Sequence, residues 1–276
     1  MKKGPRMKIS IRENMAPGGT LPEKFRNLQE LGFEGIELTT SSQPDLIDEI
    51  RAATHETGVQ PSITSTRLGG CLIDARREER DLAVRSHIQA LEIAAAVGAV
   101  GVISPPTITM KMQVGRPRIP DLSPVVSRNE VERKMVVALY RDIASAGERL
   151  GALLIIEPLN RYEQFWPLKL QDAVALCEEV GSPACKMMAD LFHMNIEESD
   201  MPAAIREAGP SIVNVHLADS HRQLPGSGHM DFHSCFRALK EIGYDGYMGL
   251  ECVIQGEPMG ALRECVRWLR LVYDSA

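Results

Sequence analysis

Several things are missing from this sequence, and each absence excludes something. No stretch approaches the roughly 18 apolar residues of a membrane-spanning helix, so a soluble protein without a membrane partner is expected. The cysteines Cys71, Cys177, Cys185, Cys235, Cys252 and Cys265 contain no CxxC pair and no tight spacing framework. Reduced thiols in a cytoplasmic protein are therefore expected, and disulfides are not. Positive charge is not in excess: 31 Lys and Arg stand against 37 Asp and Glu, a net −6. Without a basic stripe there is no long-range field to draw a phosphate backbone, and nucleic acid is not an expected partner. The first residues, Met1-Lys2-Lys3-Gly4-Pro5-Arg6, are basic, but no apolar core or small-residue cleavage site follows them. Residues 1–6 read as an N-terminal extension and not as a secretory leader.

What is present is the balance of an ordinary globular protein, with 44% hydrophobic and 25% charged residues. A length of 276 residues is near the roughly 250 that one closed α/β barrel needs, so residues 7–276 are read as a single domain. Short apolar or β-branched runs occur at 8–12, 35–38, 60–64, 100–104, 152–157, 186–189, 212–217 and 247–251. Between them lie stretches of helical period near 21–31, 43–57, 76–97, 128–149, 168–180, 198–208, 232–242 and 258–273, several followed by a glycine such as Gly32, Gly98 or Gly151. That alternation is the signature of repeated βα units. An open doubly wound sheet advertises a glycine-rich phosphate turn after its first strand. Here the turn is Glu13-Asn14-Met15-Ala16-Pro17-Gly18-Gly19, without GxGxxG spacing. The pattern predicts an α/β fold of the (β/α)8 TIM-barrel type. The longest irregular segment, 105–128, carries five prolines and several basic residues and is a candidate lid or binding loop.

In such a barrel the chemistry sits at the C-terminal ends of the strands. Four successive runs end in groups that can carry it: Glu157 after Leu153-Leu154-Ile155-Ile156, Asp190 after Met187-Met188-Ala189, His216 after Val213-Asn214-Val215, and Glu251 after Met248-Gly249-Leu250. Three carboxylates and an imidazole beside strongly apolar runs are costly to bury unless they are paired or hold a cation. Three oxygen donors and one nitrogen donor suit one divalent ion, Mn²⁺ first, with Mg²⁺, Co²⁺ or Zn²⁺ as alternatives. Arg222 can hold an anionic oxygen in its fixed fork. Asp231 reads as the N-cap of the helix that follows it, and His229 stays open. Glu37 is expected to support the site or form a salt bridge, not to be a ligand. Trp166 could wall a substrate, and Trp268 reads as packing. His55, His87 and His233 read as surface residues on helices.

Taken in order, Glu157-Pro158-Leu159-Asn160-Arg161-Tyr162-Glu163, Asp190-Leu191-Phe192-His193, His216 through Arg222 to Pro225-Gly226-Ser227-Gly228, and Gly249-Leu250-Glu251 resemble the xylose-isomerase-like TIM-barrel superfamily of sugar isomerases and epimerases. The likeness is greatest to the D-tagatose and D-psicose 3-epimerase family. The resemblance implies that Glu157, Asp190, His216 and Glu251 are the metal ligands. It implies that Glu157 and Glu251 are the acid/base pair and that Glu163, His193 and Arg222 contact substrate. It further implies an isomerase acting on a ketose or related sugar, a small-molecule carbohydrate partner, and a homodimer or homotetramer. A divalent ion on a ketone and its neighbouring hydroxyl acidifies the C–H through an enediolate, and two carboxylates can exchange that proton across opposite faces. The same intermediate can expel a leaving group, so a lyase or dehydratase on a keto-sugar or keto-inositol is the alternative. An endonuclease-IV-like DNA-repair enzyme is a more distant one. The first half departs from the epimerase pattern, which presents aromatic residues from the first strand and from the loop after the fourth: here the first strand reads Ile9-Ser10-Ile11-Arg12-Glu13-Asn14, and 107–126 has no aromatic residue. Arg12, Lys111, Arg116 and Arg118 are therefore candidates to face a larger or anionic substrate, or to remain solvated.

Overall fold

Each apolar run is too short to bury itself, and each amphipathic stretch has one apolar face to cover. A barrel of strands wrapped by helices satisfies both. The computed structural model describes residues 6–39, 46–65 and 69–276. Residues 1–5 of the expected extension and 43–45 of the second expected helix lie outside the described residues. Eight parallel strands close in sequence order: β1 (Lys8–Arg12), β2 (Gly35–Leu38), β3 (Gln60–Thr64), β4 (Gly101–Ser104), β5 (Leu153–Ile156), β6 (Cys185–Asp190), β7 (Ile212–Leu217) and β8 (Tyr247–Leu250). Among the described residues the helices are α1 (Leu21–Leu31), α2 (Ile47–Thr57), α3 (Arg77–Val97), α4 (Ile108–Met112), α5 (Arg128–Leu150), α6 (Leu170–Val180), α7 (Leu191–Glu197), α8 (Met201–Ala208), α9 (Phe232–Glu241) and α10 (Pro258–Ser275). No helix is long and apolar enough to cross a membrane among the described residues, and all six cysteines are free thiols.

Because side chains alternate along a strand, the strands supply two separate cores, the second of them from β3 to β6. One set, including Ile9, Ile11, Leu154, Ile156 and Val215, packs with helix residues such as Phe25, Phe236 and Leu269. The other forms a second cluster of Ile63, Ile103, Ile155 and Met188, all from strands. This inner column fills the barrel. Continued toward the C-terminal strand ends, the same alternation turns Glu157, Asp190, His216 and Glu251 inward. Parallel register then sets their heights: Asp190 lies opposite His216, His216 opposite Gly249, and Arg12 opposite Glu37. Gly249 matters here, since a Cβ would sit 3.0 Å from Ser10 Oγ and 3.4 Å from His216 Cδ2.

Two expectations change. Two helices, α7 and α8, follow β6: α8 is the helix expected over 198–208, and α7 lies before it, outside any expected helix. The first begins directly on the last residue of β6, because the Asp190 carboxylate caps it by accepting from Phe192 N at 2.8 Å and His193 N at 3.2 Å. Its seven residues give periodicity too little length to register. His87 is not a surface residue: it is buried on α3. Its Nδ1 donates to Ala83 O at 2.7 Å, and its Nε2 accepts from Ser104 Oγ at 2.7 Å. Ser104 Oγ lies 2.6 Å from the buried Tyr140 hydroxyl on α5. A 21-residue helix between barrel and α5 has more than one covered face, so the polar residue carries its own partners inside. His55 and His233 are exposed as expected.

Burial pushes the His87 imidazole down to about 4, with the Ala83 carbonyl opposing. A base with a depressed folded pKa takes up its proton first in the unfolded chain. Stability therefore falls as pH drops below about 6.5, and the loss is complete near pH 4. The span corresponds to about 2–3 kcal/mol between pH 7.5 and 4.5. Urea unfolding at those two pH values should show a pH-dependent loss smaller by about that amount in His87→Gln. Equal losses in the two proteins would place the titrating group elsewhere.

Candidate functional site

At the C-terminal end of the barrel, one ligand-type atom from each of Glu157, Asp190, His216 and Glu251 lies within 4.8 Å of the others. His216 Nδ1 is 3.2 Å from Glu251 Oε2, 3.5 Å from Glu157 Oε1 and 3.6 Å from Asp190 Oδ2. That nitrogen is buried and makes no hydrogen bond. A buried ring nitrogen facing three carboxylate oxygens without a bond to any of them is what a shared cation accounts for, and the three-oxygen, one-nitrogen donor set fits a divalent ion.

The other ring nitrogen, Nε2, is 2.7 Å from Glu37 Oε2. Glu37 is fully buried, and Arg12 Nε lies 3.2 Å from its second oxygen. A carboxylate on Nε2 keeps a proton there, so that Nδ1 is the nitrogen that would give up its proton and turn its lone pair to a bound cation. The supporting role expected for Glu37 is the one its position allows.

The charges pull against burial throughout. Burial pulls the His216 imidazole down, but Glu37 and the surrounding carboxylates hold it well above its ordinary range. Burial raises the Glu157 carboxyl, and it stays raised although His216 opposes this and Glu251 reinforces it. For Asp190 and Glu251 burial also favours the neutral form, but His193 and His216 hold Asp190 low, and His216 with Arg12 holds Glu251 low.

A cavity of about 420 Å³ opens above these groups. His193, Glu163 and Arg222 line it, as the resemblance implies. His193 Nδ1 accepts from Asn160 N at 3.2 Å and lies 2.8 Å from Asn160 Nδ2. The ring proton therefore sits on Nε2, which is buried without a hydrogen-bond partner and is free to donate to a bound oxygen. Asn160 Nδ2 also reaches Glu163 Oε1 at 3.1 Å, and Arg222 Nη1 lies 2.7 Å from the same oxygen. Arg222 Nη2 is 3.6 Å from Glu251 Oε2, and its guanidinium lies 4.8 Å from the Phe192 ring centroid.

Arg222 has φ +61, the left-handed region that L side chains rarely adopt. Its main chain is fixed on both sides: Arg222 N donates to Asp219 O, and Val253 N donates to Arg222 O, each at 2.8 Å. The buried Asp219 carboxylate ties the loop by accepting from Ser220 N, Gly226 N and Met230 N. A Cβ on Gly228 would lie 2.2 Å from Asp219 Oδ1. Sequence reasoning missed Asp219; the available signal was an acidic residue directly before a glycine-rich loop.

Other candidates fall elsewhere. Arg116 pairs with Asp74 at 3.2 Å and Glu79 at 2.8 Å, and Arg118 with Glu132. Lys111 lies 4.4 Å from the Phe165 ring centroid. These contacts fasten the 105–128 segment to the barrel, and of Arg12, Lys111, Arg116 and Arg118 it is Arg12 that reaches the quartet. Trp166 lines a separate cleft with Arg118 and Arg133, away from the central cavity. Trp268 packs edge-on against Phe232 at 5.6 Å. Asp231 caps α9, and His229 is exposed.

The sequence model of the family described as Xylose isomerase-like TIM barrel matches residues 25–272. The chain is 32% identical over 265 residues to the 3-dehydro-D-guloside 4-epimerase of Escherichia coli K12, covering 96% of this chain and 99% of that one. It is 28% identical over 242 residues to the D-psicose 3-epimerase of Ruminiclostridium cellulolyticum, covering 82% and 76%. The crystal structure of the 3-keto-D-glucoside 4-epimerase from Escherichia coli, an apo form, superimposes with a TM-score of 0.85 at 32% identity, over 96% of this chain and all of that one.

Glu37→Gln keeps the shape but removes the charge that holds the Nε2 proton on His216. Mn²⁺ affinity, measured by calorimetry on protein freed of metal by chelator, should fall about 10–100-fold with the fold intact. Unchanged affinity would show that Glu37 does not orient His216.

Proposed function

The chain belongs to the xylose isomerase-like TIM barrel family, and from that premise we propose that it is a divalent-metal-dependent epimerase inverting a carbon next to the ketone of a sugar, with a keto-glycoside as preferred substrate. The observation that carries the reading is the unpaired, buried Nδ1 of His216 among three carboxylate oxygens, two of them from glutamates on different strands. The preference for a keto-glycoside rests on full-length similarity to the Escherichia coli 4-epimerase, in sequence and in structure, and on the departures of the first half from the ketose 3-epimerase pattern.

A divalent cation held by Glu157, Asp190, His216 and Glu251, Mn²⁺ being the first to test, would stabilise negative charge developing on the substrate's carbonyl oxygen. The protein's own groups do the rest. Glu157 and Glu251 project from β5 and β8, so a carbon held between them can lose its proton to one carboxylate and receive a proton from the other on the opposite face. The bond broken is C–H on one face and the bond formed is C–H on the other, without net oxidation. His193 Nε2 donates a hydrogen bond to a substrate oxygen, and Arg222 with Glu163 grips further hydroxyls, fixing which carbon lies between the glutamates. Arg222 cannot ligate a cation, so its contribution is to substrate alone.

The direct test incubates 3-keto-glucosides and free ketoses with enzyme and Mn²⁺ in D₂O and reads the products by NMR. Deuterium should appear at the inverted carbon. Loss of a leaving group would instead identify a lyase, and inversion without solvent deuterium would point to intramolecular hydride transfer and overturn the proton-exchange scheme. Glu157→Gln and Glu251→Gln should each lower turnover by about 10²–10⁴-fold or more, metal occupancy being measured in parallel. Arg222→Ala should weaken turnover while leaving Mn²⁺ affinity nearly unchanged; a large loss of metal affinity would misassign it.

A further inference from the structure

Arg12 has no part in the scheme above, yet it contacts Glu251, Glu37 and Ser65 at the centre of the site. It stands at the end of β1, and its side chain is one-quarter exposed. Its guanidinium diverges in three directions. Nη1 donates to Glu251 Oε1, Nε lies 3.2 Å from Glu37 Oε1, and Nη2 lies 3.3 Å from Ser65 Oγ. Among the described residues lining the cavity, Arg12 and Arg222 are the permanent cations, and Arg222 makes its close contact with Glu163.

The oxygen atoms show what this arrangement does. Glu251 gives Oε1 to Arg12, which leaves Oε2 pointing at His216 Nδ1 from 3.2 Å. Glu37 has Oε1 beside Arg12 and Oε2 on His216 Nε2. The guanidinium thus fixes the rotation of a quartet carboxylate by a hydrogen bond and lies in an ion pair, without a hydrogen bond, against the carboxylate that orients the quartet imidazole. β1, β2, β7 and β8 are joined in a closed circuit around the centre. Lysine cannot make this connection, because a point charge on a flexible stem cannot hold two carboxylates and a hydroxyl in divergent directions.

We propose that Arg12 is the positioning residue of the metal centre, presenting Glu251 Oε2 to the cation and locking the Glu37–His216 pair, and that it acts through its fork geometry and not only through its charge. This rests on the proposed cation site. It assigns Arg12 a role within the centre in place of the contact with an anionic substrate that the departure of the first strand from the epimerase pattern suggested.

The test is calorimetric titration of metal-free wild type, Arg12→Lys and Arg12→Gln with Mn²⁺, with circular dichroism melting to confirm folding. Both variants should bind at least about tenfold more weakly than wild type, the range expected when a ligand's supporting partner is lost. At saturating Mn²⁺, kcat should fall by about tenfold or more while KM changes less than about threefold, because the defect lies in the reacting groups and not in substrate binding. Affinity within about twofold of wild type in Arg12→Gln overturns the proposal. Full recovery in Arg12→Lys overturns the geometric part of it, and a rise in KM with unchanged kcat would make Arg12 a substrate contact instead. If Arg12→Gln does not fold, Arg12→Lys decides by the same criterion, since it keeps the buried charge. A wild type that binds no divalent ion overturns the cation site and this proposal with it, whereas normal wild-type binding with unaffected variants overturns the role of Arg12 alone.

Discussion

The structure is organised around a concentration of negative charge in a place water barely reaches. Glu37, Glu157 and Asp190 are buried, Glu251 is nearly so, and all converge on His216. Each ion taken from water costs several kcal/mol even after relaxation, so the arrangement persists only where every charge has an assigned counterpart. The carboxylates divide their oxygens to achieve this. Asp190 gives Oδ1 to the N-terminus of α7 and leaves Oδ2 toward His216; Glu251 gives Oε1 to Arg12 and leaves Oε2; Glu37 is shared between Arg12 and His216 Nε2. In these three groups one oxygen faces a partner in the protein, and the other faces the centre or its imidazole.

That division explains features that would otherwise look incidental. The abrupt passage from β6 into α7 lets Asp190 act as strand end, helix cap and donor together. Gly249 keeps the barrel interior open beside His216 and Glu37, where a larger residue would crowd the imidazole. The left-handed backbone at Arg222 is a local strain of order 1 kcal/mol or more, held by main-chain bonds on both sides and by the loop gathered around Asp219. Its effect is to bring a guanidinium back over the cavity from a loop that would otherwise lead away. The 105–128 segment combines two roles: its first part lines the cavity, and Arg116 and Arg118 pin its later part to α3 and α5.

Much of this was legible in the chain. Strand and helix periods differ by almost a factor of two, so eight alternations of them stand out even in one sequence, and β1, β2, β3 and β7 begin and end where the pattern places them. The quartet was legible because a charged residue at the end of an apolar run is a local anomaly that a barrel turns into a ring. The failures have equally physical causes. A seven-residue helix starting on a strand's last residue leaves too short a period to see, which is why α7 was missed. His87 was misread from its residue type, although Ala83, Val84, Ala90 and Leu91 place it on the apolar face of its helix; its polar partners Ser104 and Tyr140 are distant in sequence. Trp166 and the basic residues of the long segment have types suited to a pocket, but a residue type carries no direction.

By itself the sequence determined the barrel, its strand order and the identity of the four groups at its mouth, because these follow from hydrophobic period and from the order in which strands are added. Only the tertiary structure decided which oxygen of each carboxylate faces the centre, that Glu37 supports His216, that Arg12 joins Glu37 to Glu251, and that Arg116 and Arg118 fasten a loop. Those outcomes depend on contacts between residues as far apart as Arg12 and Glu251, 239 positions along the chain. Closure of the barrel brings such residues together, and orientation at that range is set by packing and charge balance across strands, about which local sequence is silent.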